Sequence, residues 1–247
     1  MKLAPGQFFG RTLRRRDGAG LALYLSRYGA GDEQPWHVHT HPTLFIPLCG
    51  DHRDHTRRQS HDQQELSAVF HPTAEPHASS VGPRGLLGLN LECGPAWLER
   101  HGLTERDLGG YRLLEPTVWA RLAALRLLGA AWRPGPDTEV DTHGLELLEP
   151  LVRHTEPPVP AAPPAWLRRA EDFLHGHFRG AVSLRDAASE AGVHPVYLAR
   201  VFRRRHGCPV SAYLRALRLT EAGRIVLRPA SPWPPRPSRP GSPTRPT

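Results

Sequence analysis

The first half of the chain is a series of short apolar or alternating segments. Five of them lie at residues 7–13, 21–28, 43–49, 66–70 and 86–91, and glycine, proline and charged turns separate them. Alternation of apolar and polar positions over so few residues is typical of β strands, because successive side chains point to opposite faces. The pattern therefore predicts a small all-β barrel or sandwich over residues 1–94.

From Pro95 onward the apolar positions recur at helical spacing instead. The positions that mark two helices are Val118, Leu122, Leu125 and Trp132 in the first, and Val140, Leu147, Leu148 and Leu151 in the second. Each helix has one apolar face, so we expect a helical segment at residues 95–155 that packs on the β domain or on a second protomer.

Repeated proline at residues 156–164 predicts an extended linker, because proline excludes helix and favours the polyproline II conformation. Beyond it, the pattern predicts four helices at residues 166–178, 184–191, 195–205 and 209–227. Residues 228–247 combine many prolines with almost no apolar side chains and are predicted to be disordered. The fold class is thus α+β, with a β domain, a helical segment, a linker, an all-α domain at residues 165–227 and a tail.

The formal net charge of +8 is unevenly distributed along the 247 residues. Residues 165–228 contain 12 arginines and five acidic residues, whereas residues 1–164 are close to neutral. A basic C-terminal part favours an anionic partner, although a solvated arginine-rich surface gives the same count. No apolar run is long enough for a membrane span, and three dispersed cysteines indicate a reducing compartment, so we expect a cytoplasmic protein.

Residues 183–205 carry the start and stop signals of two short helices. Ser183 and Asp186 form a capping pair, Gly192 can end the first helix in the left-handed conformation, and Pro195 suits the first position of the second. Two helices joined by a tight turn are typical of a helix-turn-helix, although any packed helix pair can share this spacing. The arginines of the second helix favour the DNA-binding interpretation.

The stretch 183–227 resembles the first helix-turn-helix and the linker helix of AraC/XylS-family transcriptional regulators. The residues that carry the resemblance are Leu184, Ala188, Gly192, Val193, Tyr197, Leu198, Arg200, Phe202, Arg203, Gly207, Cys208, Pro209, Tyr213, Leu214, Arg215, Arg218, Leu219 and Ala222. His194 stands where the family usually has serine, which predicts a slightly weaker helix cap.

The resemblance implies a regulator that binds double-stranded promoter DNA and responds to a small-molecule effector. It places Val196, Ala199 and Arg200 against base edges, and Arg203 and Arg204 against phosphates. It also implies a homodimer, and contact with RNA polymerase if the protein is an activator. The effector, the promoter and the sign of regulation stay open.

Members of this family carry a second helix-turn-helix after the linker helix, and the sequence after Leu227 does not resemble one. We therefore expect weak, strongly salt-dependent DNA binding. A shift of reading frame is one explanation, because the tail codons read one base out of frame can encode such a motif; the nucleotide sequence tests this hypothesis.

Eight of the fifteen histidines lie between positions 37 and 77. The segments around His37, His39 and His41 and around His77 resemble the paired β motifs of the cupin barrel, in which histidines can bind a divalent metal. The carboxylate ligand expected after His41 is missing, so we predict that these four histidines line an effector pocket and that the protein needs no metal or other cofactor and is not an enzyme. If a metal binds, the expected ligands are His39, His41 and His77. The alternative is a metal-dependent cupin enzyme with an accessory helical domain.

Overall fold

The protein is a mixed α+β structure in which one β sheet and eight helices are described. The computed structural model describes residues 1–18, 20–114, 117–152 and 163–228. The strands are β1 (Lys2–Leu3), β2 (Arg11–Gly18), β3 (Leu21–Tyr28), β4 (Glu33–His39), β5 (Thr43–Thr56), β6 (Ser60–Gln63), β7 (Ala68–His71), β8 (His77–Cys93) and β9 (Arg112–Leu114). The helices are α1 (Pro95–Arg100), α2 (Glu105–Leu108), α3 (Val118–Trp132), α4 (Asp137–Val152), α5 (Ala165–His177), α6 (Leu184–Ala191), α7 (Pro195–His206) and α8 (Val210–Leu227). Among these helices, none combines the length and the apolar character that crossing a membrane requires.

Two long strands, β5 and β8, organise the sheet. They pair antiparallel along most of their length, and β8 also pairs with β3 near its C-terminal end and with β4 near its N-terminal end. Irregular register at Pro47–Cys49 and at Gly50–His52 bends the β5–β8 pair. Gly50 has φ +105°, and a Cβ atom there would lie 2.1 Å from the Gly85 carbonyl oxygen, so only glycine fits this bend.

The two faces of the sheet have different neighbours. Leu44, Ile46 and Leu48 of β5 belong to a large apolar core that also contains residues of α1, α3 and α4. Phe45 points the other way, together with polar residues of β4, β7 and β8, into a small cavity. The sheet therefore curls around a polar interior and carries the helices on its apolar outer face.

Helix α3 is buried on two sides. Ala124 and Leu127 lie in the core shared with the sheet, whereas Val118 and Leu122 lie in the core of the C-terminal helices. Only two of its fifteen residues are charged, which is typical of a helix that is enclosed rather than half-exposed. The sheet thus meets the C-terminal helices through α3.

The last turn of α3 is tied to the edge of the sheet. Arg16 on β2 donates hydrogen bonds to the carbonyl oxygens of Ala130 and Ala131, at 3.0 and 3.2 Å. Those carbonyls have no partner within the helix, so the guanidinium satisfies acceptors that would otherwise need water.

The contact between α3 and α8 depends on a glycine. A Cβ atom at Gly223 of α8 would lie 2.5 Å from Cδ1 of Leu125 on α3. The missing side chain therefore lets the two helices approach closely. Trp119 of α3 adds an edge contact to Tyr213 of α8, with ring centroids 6.5 Å apart.

The local signals around α6 and α7 are confirmed. Ser183 and Asp186 form a reciprocal capping box, and Gly192 adopts the left-handed conformation at φ +69°. Pro195 occupies the first turn of α7, and the His194 ring accepts a hydrogen bond from the Val196 amide at 3.3 Å. Histidine therefore serves as the cap at the position where a weaker cap was expected.

The four C-terminal helices predicted from spacing are confirmed within one or two residues. The two helices predicted from the apolar positions between Val118 and Leu151 are confirmed as α3 and α4. Among the strands, β3 matches its prediction, β5 and β8 extend well beyond theirs, and the segment predicted at 7–13 lies instead at Arg11–Gly18. That strand is mostly exposed and arginine-rich, so hydrophobicity could not place it. The greater part of the predicted linker and the predicted tail from residue 229 onward lie outside the described residues.

We predict that Leu127→Ala lowers the free energy of unfolding by about 2–5 kcal/mol, because it leaves a cavity between α3 and the sheet. Leu127 is 0% exposed, whereas Leu219 on α8 is 56% exposed. Urea denaturation of Leu127→Ala and of the control Leu219→Ala measures the difference. Equal losses in the two variants would contradict the central position of α3.

Candidate functional site

The first candidate surface is one face of α7. Leu198 and Phe202 are 0% exposed and anchor the helix in the C-terminal core, which orients the opposite face outward. Val196 is 70% exposed near the start of the helix. The Arg200 guanidinium lies 5.5 Å from the ring centroid of Tyr197, within the range of a cation–π contact.

The residues predicted to contact DNA share this face. Val196, Ala199, Arg200 and Arg203 follow each other at positions i, i+3, i+4 and i+7, and Arg204 lies beside them. Arg200, Arg203 and Arg204 are exposed, and none forms an ion pair with a carboxylate in the part of the chain that the structure describes. The helix therefore presents an uncompensated positive surface.

The second candidate site is a histidine cluster inside the curled sheet. His37 and His39 lie on β4, and His77 begins β8, which pairs with β4. Each of the three histidines offers one ring nitrogen, and these three nitrogen atoms lie within 4.8 Å of one another. All three side chains are buried. The ring centroids of His37 and His77 are 4.1 Å apart.

Backbone carbonyls fix the tautomers of two of these histidines. Nδ1 of His37 donates to the Pro35 carbonyl at 2.8 Å, and Nδ1 of His77 donates to the Glu75 carbonyl at 3.0 Å. A carbonyl oxygen can only accept, so Nδ1 carries the proton and Nε2 keeps its lone pair. Metal-ligating histidines in proteins are commonly oriented by this kind of bond.

Burial keeps the three rings neutral. It lowers the pKa of His37, lowers the pKa of His39 to about 3, and lowers the pKa of His77 further; neighbouring histidines add to the effect on His39 and His77. Neutral imidazoles can pack at these distances without charge repulsion, and they are the form that binds metal. The donor set fits a divalent ion such as zinc or iron.

A second layer of polar groups supports the cluster. The ring of His71, on β7, stacks on His77 with centroids 3.7 Å apart. Nε2 of His71 lies 3.3 and 3.4 Å from the two carboxylate oxygens of Asp54, and the Tyr111 hydroxyl donates to Asp54 at 2.8 Å. Burial raises the pKa of Asp54, but the hydrogen bonds from His71 and Tyr111 and the nearby His71 outweigh it, and the net shift is downward.

His41 lies apart from the other three predicted histidines. Strand β4 ends at His39, so His41 does not share the alternation that places His37 and His39 on one face. Nδ1 of His41 lies 3.3 Å from Glu92 Oε1, and the other oxygen of Glu92 accepts a hydrogen bond from the Gly6 amide. The structure therefore groups His37, His39 and His77, rather than the predicted metal set His39, His41 and His77.

The cavity beside the histidines is small. It measures about 30 Å³, which is the share of volume that one water molecule occupies in the liquid. Pockets for organic ligands are typically about 300–1,000 Å³. The space next to the cluster in this structure therefore has the size of an ion or a water, and the role of these histidines in lining an effector pocket stays a prediction.

Asp54, His71 and Tyr111 were not among the residues predicted from the sequence. Two of them could have been found from the sequence, because each is a polar residue at or near the end of an apolar strand pattern. Asp54 lies two positions after His52, and His71 directly follows Phe70. Tyr111 precedes the three-residue strand β9, too short to be detected from its pattern.

No protein-family model matches this chain, and no curated protein does either. Among solved structures, the DMSP lyase DddQ from Ruegeria pomeroyi is 26% identical over 32% of this chain and 40% of its own length, with a TM-score of 0.30. The AraC-like transcriptional activator CuxR is 16% identical, with 83% of this chain and 77% of that chain covered and a TM-score of 0.41. A cupin-2 domain containing protein from Shewanella frigidimarina is 18% identical over 34% of this chain and 84% of that one, with a TM-score of 0.30. These similarities are too weak to assign a family or an activity.

We predict that Tyr111→Phe lowers the free energy of unfolding by about 1–3 kcal/mol, because the buried carboxylate of Asp54 loses a donor. Tyr197→Phe is the matched control, since its hydroxyl lies on an exposed side chain of α7. Chemical denaturation of both variants measures the difference; an unchanged stability for Tyr111→Phe would show that the carboxylate does not depend on this hydroxyl.

Proposed function

We propose that the protein is a sequence-specific DNA-binding regulator of transcription whose helix α7 enters the major groove. The observation that carries the proposal is the exposed face of α7, where Val196, Arg200, Arg203 and Arg204 lie together and the arginines have no carboxylate partner among the described residues. A solvated arginine face on any helix is the simpler interpretation of charge alone. The tight turn after Gly192 and the exposed N-terminal end of α7 favour the DNA-binding one.

The side chains on this face suit two different tasks. Arg200 lies one turn into the helix and can pair with the O6 and N7 atoms of a guanine, while Val196 can contact a thymine methyl group. Arg203 and Arg204 lie nearer the C-terminal end, where cations are favoured by the helix dipole and where phosphate contacts add affinity without sequence preference. Ala199, between them, lets the helix approach the bases closely.

One such unit makes a limited contact. A single DNA-binding module buries about 600–1,000 Å² of protein surface, less than most specific complexes. We infer that affinity depends strongly on salt, and that a second copy of the chain on an adjacent site raises it through effective concentration.

Selection of binding sites from a randomised DNA duplex pool tests the proposal. We expect the wild-type chain to enrich a short motif that contains a guanine, and Arg200→Ala to lose the preference at that position, at a cost of about 1–3 kcal/mol for the preferred base. Arg203→Ala is expected to weaken binding to all sequences and to reduce the slope of log K against log salt by about one.

Arg126→Ala is the matched control, because it removes one exposed arginine from α3, a different helix. It should leave the motif and the salt slope as in wild type. Enrichment of no motif by the wild-type chain would refute sequence-specific recognition, and an effect of Arg126→Ala as large as that of Arg200→Ala would refute the role of α7.

The histidine cluster supports a second candidate function, binding of a divalent metal in the β domain. His37, His39 and His77 offer three neutral ring nitrogens within 4.8 Å of one another, and two of them are oriented by backbone carbonyls. The space beside them is about 30 Å³, which favours a structural or sensory ion over the alternative of a metal-dependent enzyme that must also hold a substrate.

Metal analysis of the purified chain after incubation with zinc or ferrous iron and removal of free ion tests this candidate. We expect about one ion per chain in the wild type and a large loss in His77→Ala, because a three-ligand site with one ligand removed binds far more weakly. Thermal unfolding should show a rise in midpoint with metal that His77→Ala lacks.

His41→Ala is the control, since His41 lies beside Glu92 instead of in the cluster. It should bind metal as the wild type does. A wild-type chain that retains no ion, or a His41→Ala variant that loses its ion together with His77→Ala, would refute the site assigned to His37, His39 and His77.

A further inference from the structure

A cleft of about 610 Å³ lies between the sheet and the C-terminal helices. The sheet side contributes residues of β5, β6 and β8, and the helical side contributes residues of α3, α5 and α8. This volume is within the roughly 300–1,000 Å³ of typical small-molecule sites, about twenty times the space beside the histidines.

Arginine dominates the charged lining of this cleft. Five arginines line it: Arg84, Arg121, Arg179, Arg224 and Arg228. Three carboxylates line it as well, those of Asp51, Glu65 and Glu221. The lining therefore carries an excess of two positive charges.

The carboxylates are already engaged. Asp51 accepts from Arg84 at 2.6 Å, and Glu221 pairs with Arg179 and with Arg224. Glu65, on the sheet side, lies 3.3 Å from Arg224 and 3.8 Å from Arg228. Each carboxylate thus forms its ion pairs with arginines other than Arg121.

Arg121 has a different environment. Its Nη2 donates to the neutral side chain of Gln64 at 3.1 Å, and its Nε is buried with no hydrogen-bond partner in the described part of the chain. No carboxylate of the described residues lies within ion-pair distance of it. Burial lowers the pKa of Arg121 and the charge of Arg224 lowers it further, while the more distant carboxylates of Glu65 and Glu221 oppose these effects without cancelling them. A half-buried guanidinium with an unpaired donor beside a second cation is a costly arrangement unless an anion completes it.

We propose that this cleft binds a small, multiply charged anion bearing carboxylate or phosphate groups, with Arg121 as its principal contact and Arg224 as the second cation. Arg121 belongs to α3, which packs on the sheet, and Arg224 belongs to α8 of the C-terminal helices. The anion would therefore bridge the two parts, pairing with Arg121, which has no carboxylate partner among the described residues, and with Arg224, which also contacts Glu65 and Glu221. Planar guanidinium groups suit both carboxylate and phosphate.

The regulatory meaning of the site rests on the proposed DNA-binding function. An anion that holds α3 and α8 together fixes the position of α7 relative to the sheet, and so couples a metabolite concentration to the DNA-binding face. The cleft, rather than the space beside the histidines, is then the effector site.

Calorimetric titration of the whole chain with pyrophosphate and, separately, with citrate at constant ionic strength tests the site. We expect the wild type to bind at least one of the two, and the preferred one identifies the anionic group. Arg121→Gln should weaken that binding at least tenfold, whereas Arg126→Gln, the same change elsewhere on α3, should leave it unchanged. Without anion, the thermal midpoint of Arg121→Gln should equal or exceed that of the wild type, because an unpaired buried charge has been removed.

Absence of binding by the wild type, or equal affinity in wild type and Arg121→Gln, would overturn the proposal. So would equal weakening by Arg126→Gln, since that result indicates a diffuse charge effect. DNA binding is measured separately on the same three proteins. If anion binding depends on Arg121 but the chain does not bind DNA, the anion site stands and the proposed DNA-binding function is refuted. If the chain binds DNA but no anion, the DNA-binding function stands and the anion site is refuted.

Discussion

The enclosure of helix α3 is the constraint on which the rest of the structure depends. Its apolar residues serve two cores at once, that of the sheet through Leu127 and that of the C-terminal helices through Leu122. Full burial of a leucine stabilises a protein by about 1.5–3 kcal/mol, so a few such residues are comparable to the net stability of a domain. Because α3 is shared, the cleft beside Arg121 and the outward orientation of α7 are both consequences of how this helix is packed.

The interior of the curled sheet follows a different principle, since buried polar side chains lie there beside an apolar cluster that includes Phe45, Val69 and Leu86. A buried imidazole or carboxylate is costly unless its hydrogen bonds are made, and here His71 and Tyr111 satisfy Asp54 while backbone carbonyls satisfy His37 and His77. Part of the sheet interior is therefore occupied by a preorganised polar cluster, where apolar side chains would otherwise pack. Such an arrangement is typical of functional rather than purely structural interiors.

The helical half of the fold could be predicted from the sequence because its signals are local. Ser183, Gly192 and Pro195 mark helix ends through hydrogen bonds and backbone angles that involve only neighbouring residues. The β half was less predictable, since β2 is polar and lies at the edge, and the partners of His77 come from β4 and β7, which only the tertiary structure brings together. The same reason explains His41, whose position depends on where β4 ends. The arginine-lined cleft had no sequence signal, because Glu65 and Arg224 are 159 positions apart.

The close approach at Gly223 has a consequence for how this chain can change over generations. The Cδ1 atom of Leu125 occupies the space into which a side chain at position 223 would extend. A lineage that acquires even alanine there must move or shorten the side chain at 125, or separate the two helices. We therefore expect the residues at positions 125 and 223 to vary together among related sequences. Such paired variation would indicate that the sheet and the C-terminal helices have stayed in contact.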